Sequence, residues 1–284
     1  MSDIDLDHLK AWIGKSNQTE EAITKGLSDR LHATLGFEQE EDGALPHGAH
    51  WCVCVPITAI ADIAPDGHAK RGEFLPPIPL PRRMWAGSEI VFGRSLKVGD
   101  MVKRRSTIEN VYVKHGRSGP LCFVDVRHYY SVEDEMAVDE LQTVVYRESS
   151  RESSGVSSAE NVLNPPRMRI FDVRTTTFPM SEVLLFRYSA VTFNPHRIHY
   201  DNKYVTEVEG YPGLIVHGPL QATLLMGFAR DSLGKSLKKF TFRGLSPMFG
   251  GPAFDIFGVK GEDGSLSLEA VTVGDVATMQ ATAS

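Results

Sequence analysis

No apolar run in this 284-residue chain is long enough to cross a bilayer, which removes the membrane-helix classes. No lysine- and arginine-rich block stands out either. Thirty basic residues against 36 acidic ones give a formal charge of −6, without the electrostatic footprint of a nucleic-acid binder. Cysteine is scarce: Cys52, Cys54 and Cys122 are too few, and odd in number, for a disulfide framework. No His or Cys pair has zinc-site spacing, so no metal is expected. Cys52 and Cys54 alternate with valine in "WCVCVP", which predicts two small buried residues on one face of a strand. The opening "MSDIDLDHLKAW" is acidic and lacks the apolar centre of a signal peptide, so a cytoplasmic protein is expected.

What is present is globular: 42% hydrophobic and 23% charged residues, enough for one large domain or two moderate ones. The Ser-rich stretch "SRESSGVSSAENVLNPP", residues 150–166, has no apolar period and reads as a linker between domains at 1–149 and 167–284. In the first portion, "LDHLKAWIG" and "EEAITKGLSDRLHATLG" have helical spacing with a closing glycine. The Pro-rich "FLPPIPLPRRMWAGSE" reads as a loop. Four segments follow, rich in Val, Ile, Tyr, Phe and Thr and broken by glycine or acidic residues, and they read as antiparallel strands. In the second portion "VLLFRYSAVTF" reads as a strand. "PLQATLLMGFARDSLG" reads as a helix of about four turns, with Leu220, Leu224 and Phe228 on its apolar face. Strands return after Gly234. One long apolar helix with several antiparallel strands indicates an α+β fold, a sheet wrapped on a helix.

Two segments carry chemistry. "FNPHRIHYDNKY" crowds Asn194, His196, Arg197, His199 and Asp201 into one polar stretch. Histidine titrates near neutrality and suits general acid–base work, although a lone loop histidine is more often structural. "GLIVHGPLQ" places His217-Gly218-Pro219 at a helix start. There unpaired N–H groups and partial positive charge could stabilise an oxyanion, although a plain Gly-Pro start is the simpler reading of the segment alone. In order, a His loop, a short connection and a Gly-initiated buried helix suit proton chemistry beside a thioester carbonyl. Arg82, Arg83 and Trp85 in the Pro-rich stretch, and Arg243 in "FRGLSP", are candidates for phosphate, carboxylate or acyl contacts.

The sequence resembles the MaoC-like hot-dog hydratases and dehydratases, in the branch whose first half is a second, degenerate hot-dog. In the R-specific enoyl-CoA hydratases the signature is Asp-x-Asn-Pro-Ile/Leu-His with a later Asp, then His-Gly opening the central helix. Aligned without gaps, His199 matches the catalytic His, Asp201 the later Asp, and His217-Gly218 the His-Gly. The catalytic Asp falls on Asn194, and the motif's Asn and Pro fall on His196 and Arg197. "YSAVTFNPHRIHYD", "QTVVYRE" and "FRGLSPMF" are similar to the itaconyl-CoA and mesaconyl-CoA hydratase and hydroxyacyl-thioester dehydratase branch.

The resemblance implies a double hot-dog with a noncatalytic first half, no cofactor beyond the coenzyme A of its acyl-CoA substrate, and a homodimer as a candidate assembly. It implies reversible hydration of an α,β-unsaturated thioester. His199 would carry the proton, Asn194 the water, and the Gly218 amide the thioester oxygen, with Asp201 as a candidate assistant. Arg82, Arg83, Trp85, His196, Arg197, His217 and Arg243 would line the substrate. Alternatives are a dehydratase acting on acyl carrier protein, a hot-dog thioesterase, or a noncatalytic thioester binder. A thioesterase would want a carboxylate on the central helix, where this chain has Gln221, with Asp231 only near the far end.

Overall fold

The computed structural model describes residues 4–40, 42–116, 119–148 and 171–284. The expected linker at 150–166 lies outside the described residues. In chain order the elements are α1 (Leu6–Lys10), β1 (Ser16–Ala22), α2 (Lys25–Leu35), β2 (Arg82–Phe92), β3 (Met101–Gly116), β4 (Gly119–Val132), β5 (Glu135–Arg147) and β6 (Val173–Thr176). Then come α3 (Glu182–Val191), α4 (Asn202–Glu207), α5 (Gly218–Leu233), β7 (Lys239–Gly244), β8 (Asp255–Lys260), β9 (Leu266–Val271) and β10 (Ala277–Ala283). Short 3-10 turns lie at Ala49–Cys52, Ile60–Asp62 and Arg197–His199.

The strands form one antiparallel ten-stranded sheet in the order β1-β3-β4-β5-β2-β7-β10-β9-β8-β6. Five come from each half of the chain, and β2 pairs with β7 where the halves meet, Gly87 opposite Arg243 and Ile90 opposite Phe240. A Cβ at Gly87 would stand 2.3 Å from the Phe242 carbonyl oxygen, so a glycine is needed for that approach. The register of β2 against β5 shifts at the same place, between Trp85 and Gly87.

The long helix is as expected in place and length, with the sheet wrapped on it, but it is buried on more than the one apolar face. All seven residues from Leu220 to Met226 are buried, which covers every face of two turns. A helix apolar on one face would not bury Gln221 and Thr223 as well. Here the β7–β10 sheet curls round α5, and the polar pair is accommodated by local bonds: Thr278 donates to Gln221 Oε1 at 2.9 Å and Thr223 to the Pro219 carbonyl at 2.8 Å. Each fully buried Leu of α5 contributes about 1.5–3 kcal/mol.

Four local expectations are corrected. "VLLFRYSAVTF" is helix α3, not a strand. Ser181 Oγ accepts from the Leu184 amide at 3.3 Å as its N-cap, and Leu184, Leu185, Tyr188 and Val191 are buried at helical spacing. Tertiary burial overrides the β-branched and aromatic composition there. Arg82, Arg83 and Trp85 open strand β2 rather than lying in a loop, because the prolines stop at 81 and leave the ladder amides intact. "WCVCVP" is the end of the 3-10 turn Ala49–Cys52 followed by irregular chain, with Cys54 at φ 54, and not a strand. All three cysteines are buried and free, and burial pushes the Cys52 thiol up to about 12 and Cys122 to about 11. Finally, "EEAI" is the end of β1 and the start of its exit. The helix begins only after Thr24, whose hydroxyl caps the Leu27 amide.

Candidate active site

The His loop is set by the end of α3. Phe193 turns at φ 49, and its successor's amide returns to the Ser189 carbonyl at 2.8 Å. Asn194 Oδ1 then accepts from the His196 amide at 3.0 Å, an Asx turn that fixes the loop's direction. Residues Arg197–His199 make a 3-10 turn, and Asp201 caps α4 by accepting from the Tyr204 amide at 3.0 Å. The other Asp201 oxygen takes Arg197 Nε and Nη2 at 3.0 and 2.8 Å. Arg197 also donates to the Pro65 carbonyl at 2.9 Å and lies 4.1 Å over the Tyr204 ring. Asp201 and Arg197 are thus engaged in holding the loop.

His199 is buried, with Nδ1 2.7 Å from the Ile215 carbonyl. A carbonyl only accepts, so Nδ1 carries the hydrogen and Nε2 keeps its lone pair. Burial drives its pKa down to about 4, against the Ile215 bond, which favours the charged form. His199 is therefore a neutral base at pH 7. It stacks on His217 with ring centroids 3.7 Å apart. His217 is the N-cap residue of α5, fully buried, with Nε2 2.8 Å from Ser189 Oγ. Burial and the neighbouring His199 and His196 hold it well below the usual imidazole range. The stack brings His199 beside the first turn of α5, whose leading amides have no intrahelical acceptor. Apart from its chain neighbours and its own helix, nothing lies within 4 Å of where a Cβ on Gly218 would stand, so there is space beside that turn.

A fourth histidine, beside His196, His199 and His217, reaches the site from the first half, and sequence reasoning missed it. The turn at residues 64–68 docks on the His loop. Arg197 N–H donates to the Asp66 carbonyl at 3.0 Å, and a Cβ at Gly67 (φ 94) would fall 1.9 Å from the Pro195 carbonyl oxygen. His68 sits 4.0 Å from the His196 ring, and His196 lies 5.4 Å from His199. His68 Nδ1 faces Asp66 Oδ2 at 3.0 Å. Burial lowers His68 to about 4, with the Arg83 charge acting the same way and Asp66 opposing. Burial alone would raise Asp66, but the His68 hydrogen bond and charge outweigh it and hold the carboxyl well below its usual range. Ligand atoms of Asp66, His68 and His196 lie within 4.8 Å of one another. Metal-ligand spacing along the chain could not have found this group, because it joins two segments some 130 residues apart. The only sequence signal was "PDGHAK", a turn-forming Asp-Gly followed by a histidine.

The remaining candidates divide. Arg83 acts electrostatically on both His68 and His196, so its charge reaches the cluster. Arg82 instead holds the Glu209 carbonyl at 2.6 Å and the Tyr211 ring at 5.0 Å. Trp85 packs edge-on against Trp51 and donates to Ser88 Oγ at 2.9 Å. Arg243 is exposed on β7. Beside the His loop an open groove of about 480 Å³ runs along α3, lined by Val183, Phe186, Tyr200 and Leu214 together with Glu182 and Asn202.

Residues 48–250 match the family of hydroxyacyl-thioester dehydratases type 2. The chain is 41% identical over 242 residues, 84% of each protein, to a mesaconyl-C(4)-CoA hydratase of Chloroflexus aurantiacus. It is 30% identical over 43% of its length to the mitochondrial hydroxyacyl-thioester dehydratase type 2 of Schizosaccharomyces pombe, covering 39% of that protein. Among solved structures, a MaoC-like dehydratase superposes with a TM-score of 0.73 at 14% identity, covering 97% of this chain and 98% of the other. A Mycobacterium tuberculosis protein with a double hot-dog fold superposes at 0.56 and 14% identity, covering 95% of each chain. A ten-stranded sheet built from two five-stranded halves, one wrapped on a buried helix with a stacked histidine pair at its start, is the double hot-dog arrangement, and the chain belongs to the hydroxyacyl-thioester dehydratase type 2 family of MaoC-like hydro-lyases.

Proposed function

We propose that this protein adds water reversibly across the α,β-double bond of an enoyl-CoA, and that its acyl group is a small dicarboxylic one of the mesaconyl or itaconyl type. The observation that carries the reaction is His199: a buried imidazole with its Nδ1–H committed to Ile215 and its Nε2 free, stacked beside the open first turn of α5. In the hydration direction His199 Nε2 takes a proton from water as the oxygen bonds to Cβ. The displaced π electrons collect on the thioester oxygen, which the Gly218 amide holds. The imidazolium then returns the same proton to Cα. Asn194 shapes the loop that presents His199. Acting on the carbonyl end alone, the helix terminus stabilises the enolate more than the ground-state thioester, as differential catalysis requires.

The dicarboxylic acyl group is supported by the 41% identical relative and by Arg83. A mesaconyl monothioester carries a free carboxylate, and Arg83 places a cation near the His cluster. The groove along α3 would take the pantetheine arm. A thioesterase finds less support, since Gln221 is tied to Thr278 and Asp231 pairs with Arg230 at 2.7 Å. Coenzyme A as carrier fits a cytoplasmic enzyme, and the proposed assembly is a homodimer.

Loss of enoyl absorbance with mesaconyl-CoA and crotonyl-CoA tests the reading. Turnover of the dicarboxylic thioester well above crotonyl-CoA is expected. Free thiol released without loss of the double bond would indicate a thioesterase instead, and no change in either signal would indicate a binder.

A further inference from the structure

We infer that the first half of the chain supplies part of the hydration site: His68, fixed by Asp66, is a second catalytic imidazole that holds the attacking water. This rests on the hydratase reading above. It answers the question left by Asn194, which stands where the resembling hydratases have their catalytic carboxylate and whose Oδ1 is engaged by the His196 amide.

Three independent features place the pair. The turn that carries it is docked on the His loop by two Arg197 bonds, to the Pro65 and Asp66 carbonyls, and by the close seat of Gly67 on Pro195. The His68 ring contacts His196, which in turn contacts His199. Third, the Asp66 carboxylate can only accept from Nδ1, which puts the His68 hydrogen there and leaves a lone pair on Nε2. His199 carries the same tautomer for a different reason, its bond to Ile215. Two imidazoles that both present an acceptor nitrogen can take the two hydrogens of one water and leave an oxygen lone pair for Cβ. One proton passes to His199 and on to Cα. The other stays on the oxygen, which becomes the product hydroxyl, so no proton is gained or lost. Asp66 is a positioning residue, acting through His68. The other charged or titratable groups around His68 include Arg83 on β2, Arg71, His196 and His199.

Asp66→Asn tests this sharply. The amide N–H₂ facing Nδ1 would reverse the His68 tautomer and turn Nε2 from acceptor to donor. Turnover should fall on the order of 100-fold while KM changes by less than about threefold, as for loss of a group that acts in the transition state. His68→Ala should show a similar loss, and added imidazole should restore at least about tenfold of it, which a structural role would not allow. Ring ¹⁵N NMR of the unaltered protein gives a reading free of folding artefacts: His68 should appear as the Nδ1–H tautomer, and the Nε2–H form would overturn the inference. Wild-type hydration combined with near-normal turnover in both variants would also overturn it while leaving the hydratase assignment standing. Absence of hydration in the wild type would instead sink that assignment. Turnover should survive EDTA. Loss to EDTA with recovery on adding Zn²⁺ would make the Asp66–His68–His196 group a metal site and refute the water-holding role.

Discussion

Replacing Gly67 by alanine should disconnect the two halves at the site without unfolding either. The added Cβ would sit 1.9 Å from the Pro195 carbonyl oxygen, 2.7 Å from its carbon and 3.2 Å from His196 Cα, and all three are backbone atoms that cannot rotate away. At φ 94 a side chain is also disfavoured, by roughly 1–2 kcal/mol. Lifting the turn off removes the two Arg197 bonds, each about 1 kcal/mol net. The docked turn should therefore weaken by on the order of 3 kcal/mol, a factor of about 100 in the docked-to-undocked ratio. Turnover should fall roughly tenfold to 100-fold, the lower figure applying if native docking has stability in reserve. The melting temperature should change little, because the turn contributes no residue to the main apolar core. Steady-state kinetics, a thermal melt and amide hydrogen exchange at Arg197 together measure all three consequences. Normal turnover with unchanged exchange would mean that the contact between the turn and the His loop is not needed, and the shared site would be refuted.

Other substitutions probe the site from the second half. His199→Ala should lower turnover by roughly 10²–10⁴-fold with the fold intact, and a near-normal rate in the enoyl-absorbance assay would remove it as the proton carrier. Asn194→Ala should cost about tenfold, because the Asx turn to the His196 amide is lost. Asn194→Asp keeps an acceptor oxygen for that turn and should retain more activity. Equal, near-complete activity in both would separate Asn194 from the chemistry. Acid should destabilise the protein. His68 and His199 have folded-state values near 4 against 6.5 unfolded, so between those limits the unfolded chain binds more protons and stability falls as pH falls. At pH 5 each contributes a loss on the order of 2 kcal/mol, and a melting temperature flat from pH 7 to pH 5 would contradict their burial as neutral groups.

The parts of the fold legible in the sequence are those fixed by local periodicity. The β3–β5 segments alternate, α5 has its Gly-Pro start and Gly234 stop, and both were placed from composition and spacing alone. The errors fall where packing reverses a local preference. The apolar and aromatic composition of α3 suits a strand, yet Val183 and Phe186 face out while Leu184, Leu185, Tyr188 and Val191 face in, a spacing that fits a helix and not the two-residue alternation of a strand. Proline density hid the start of β2. In the site, His199, His217 and Gly218 lie together because they are separated by one short connection, and order along the chain suffices to pair them. Asp66 and His68 could not be paired with His196 that way. Their contact depends on a turn whose only mark is a glycine, and the need for that glycine is visible only once Pro195 is in place.

The join between the halves explains why such a contact can be made reliably. A pairing of β2 with β7 fixes the first half in register against the second, and Gly87 lets the two backbones close to full ladder distance. Arg82, at the first residue of β2, then reaches across to the Glu209 carbonyl and the Tyr211 ring on the far side of α4. Arg197 reaches the other way, from the His loop to residues 65 and 66. Bonds thus cross between the halves in both directions, so a shift of one half against the other would break them. In a symmetric dimer of single hot-dogs every such contact would have to occur twice. A fused pair is free of that symmetry. One half can carry α5 and its histidine stack while the other contributes the Asp66–His68 turn, and on the inference above position 194 can hold an asparagine because His68, fixed by Asp66, holds the water.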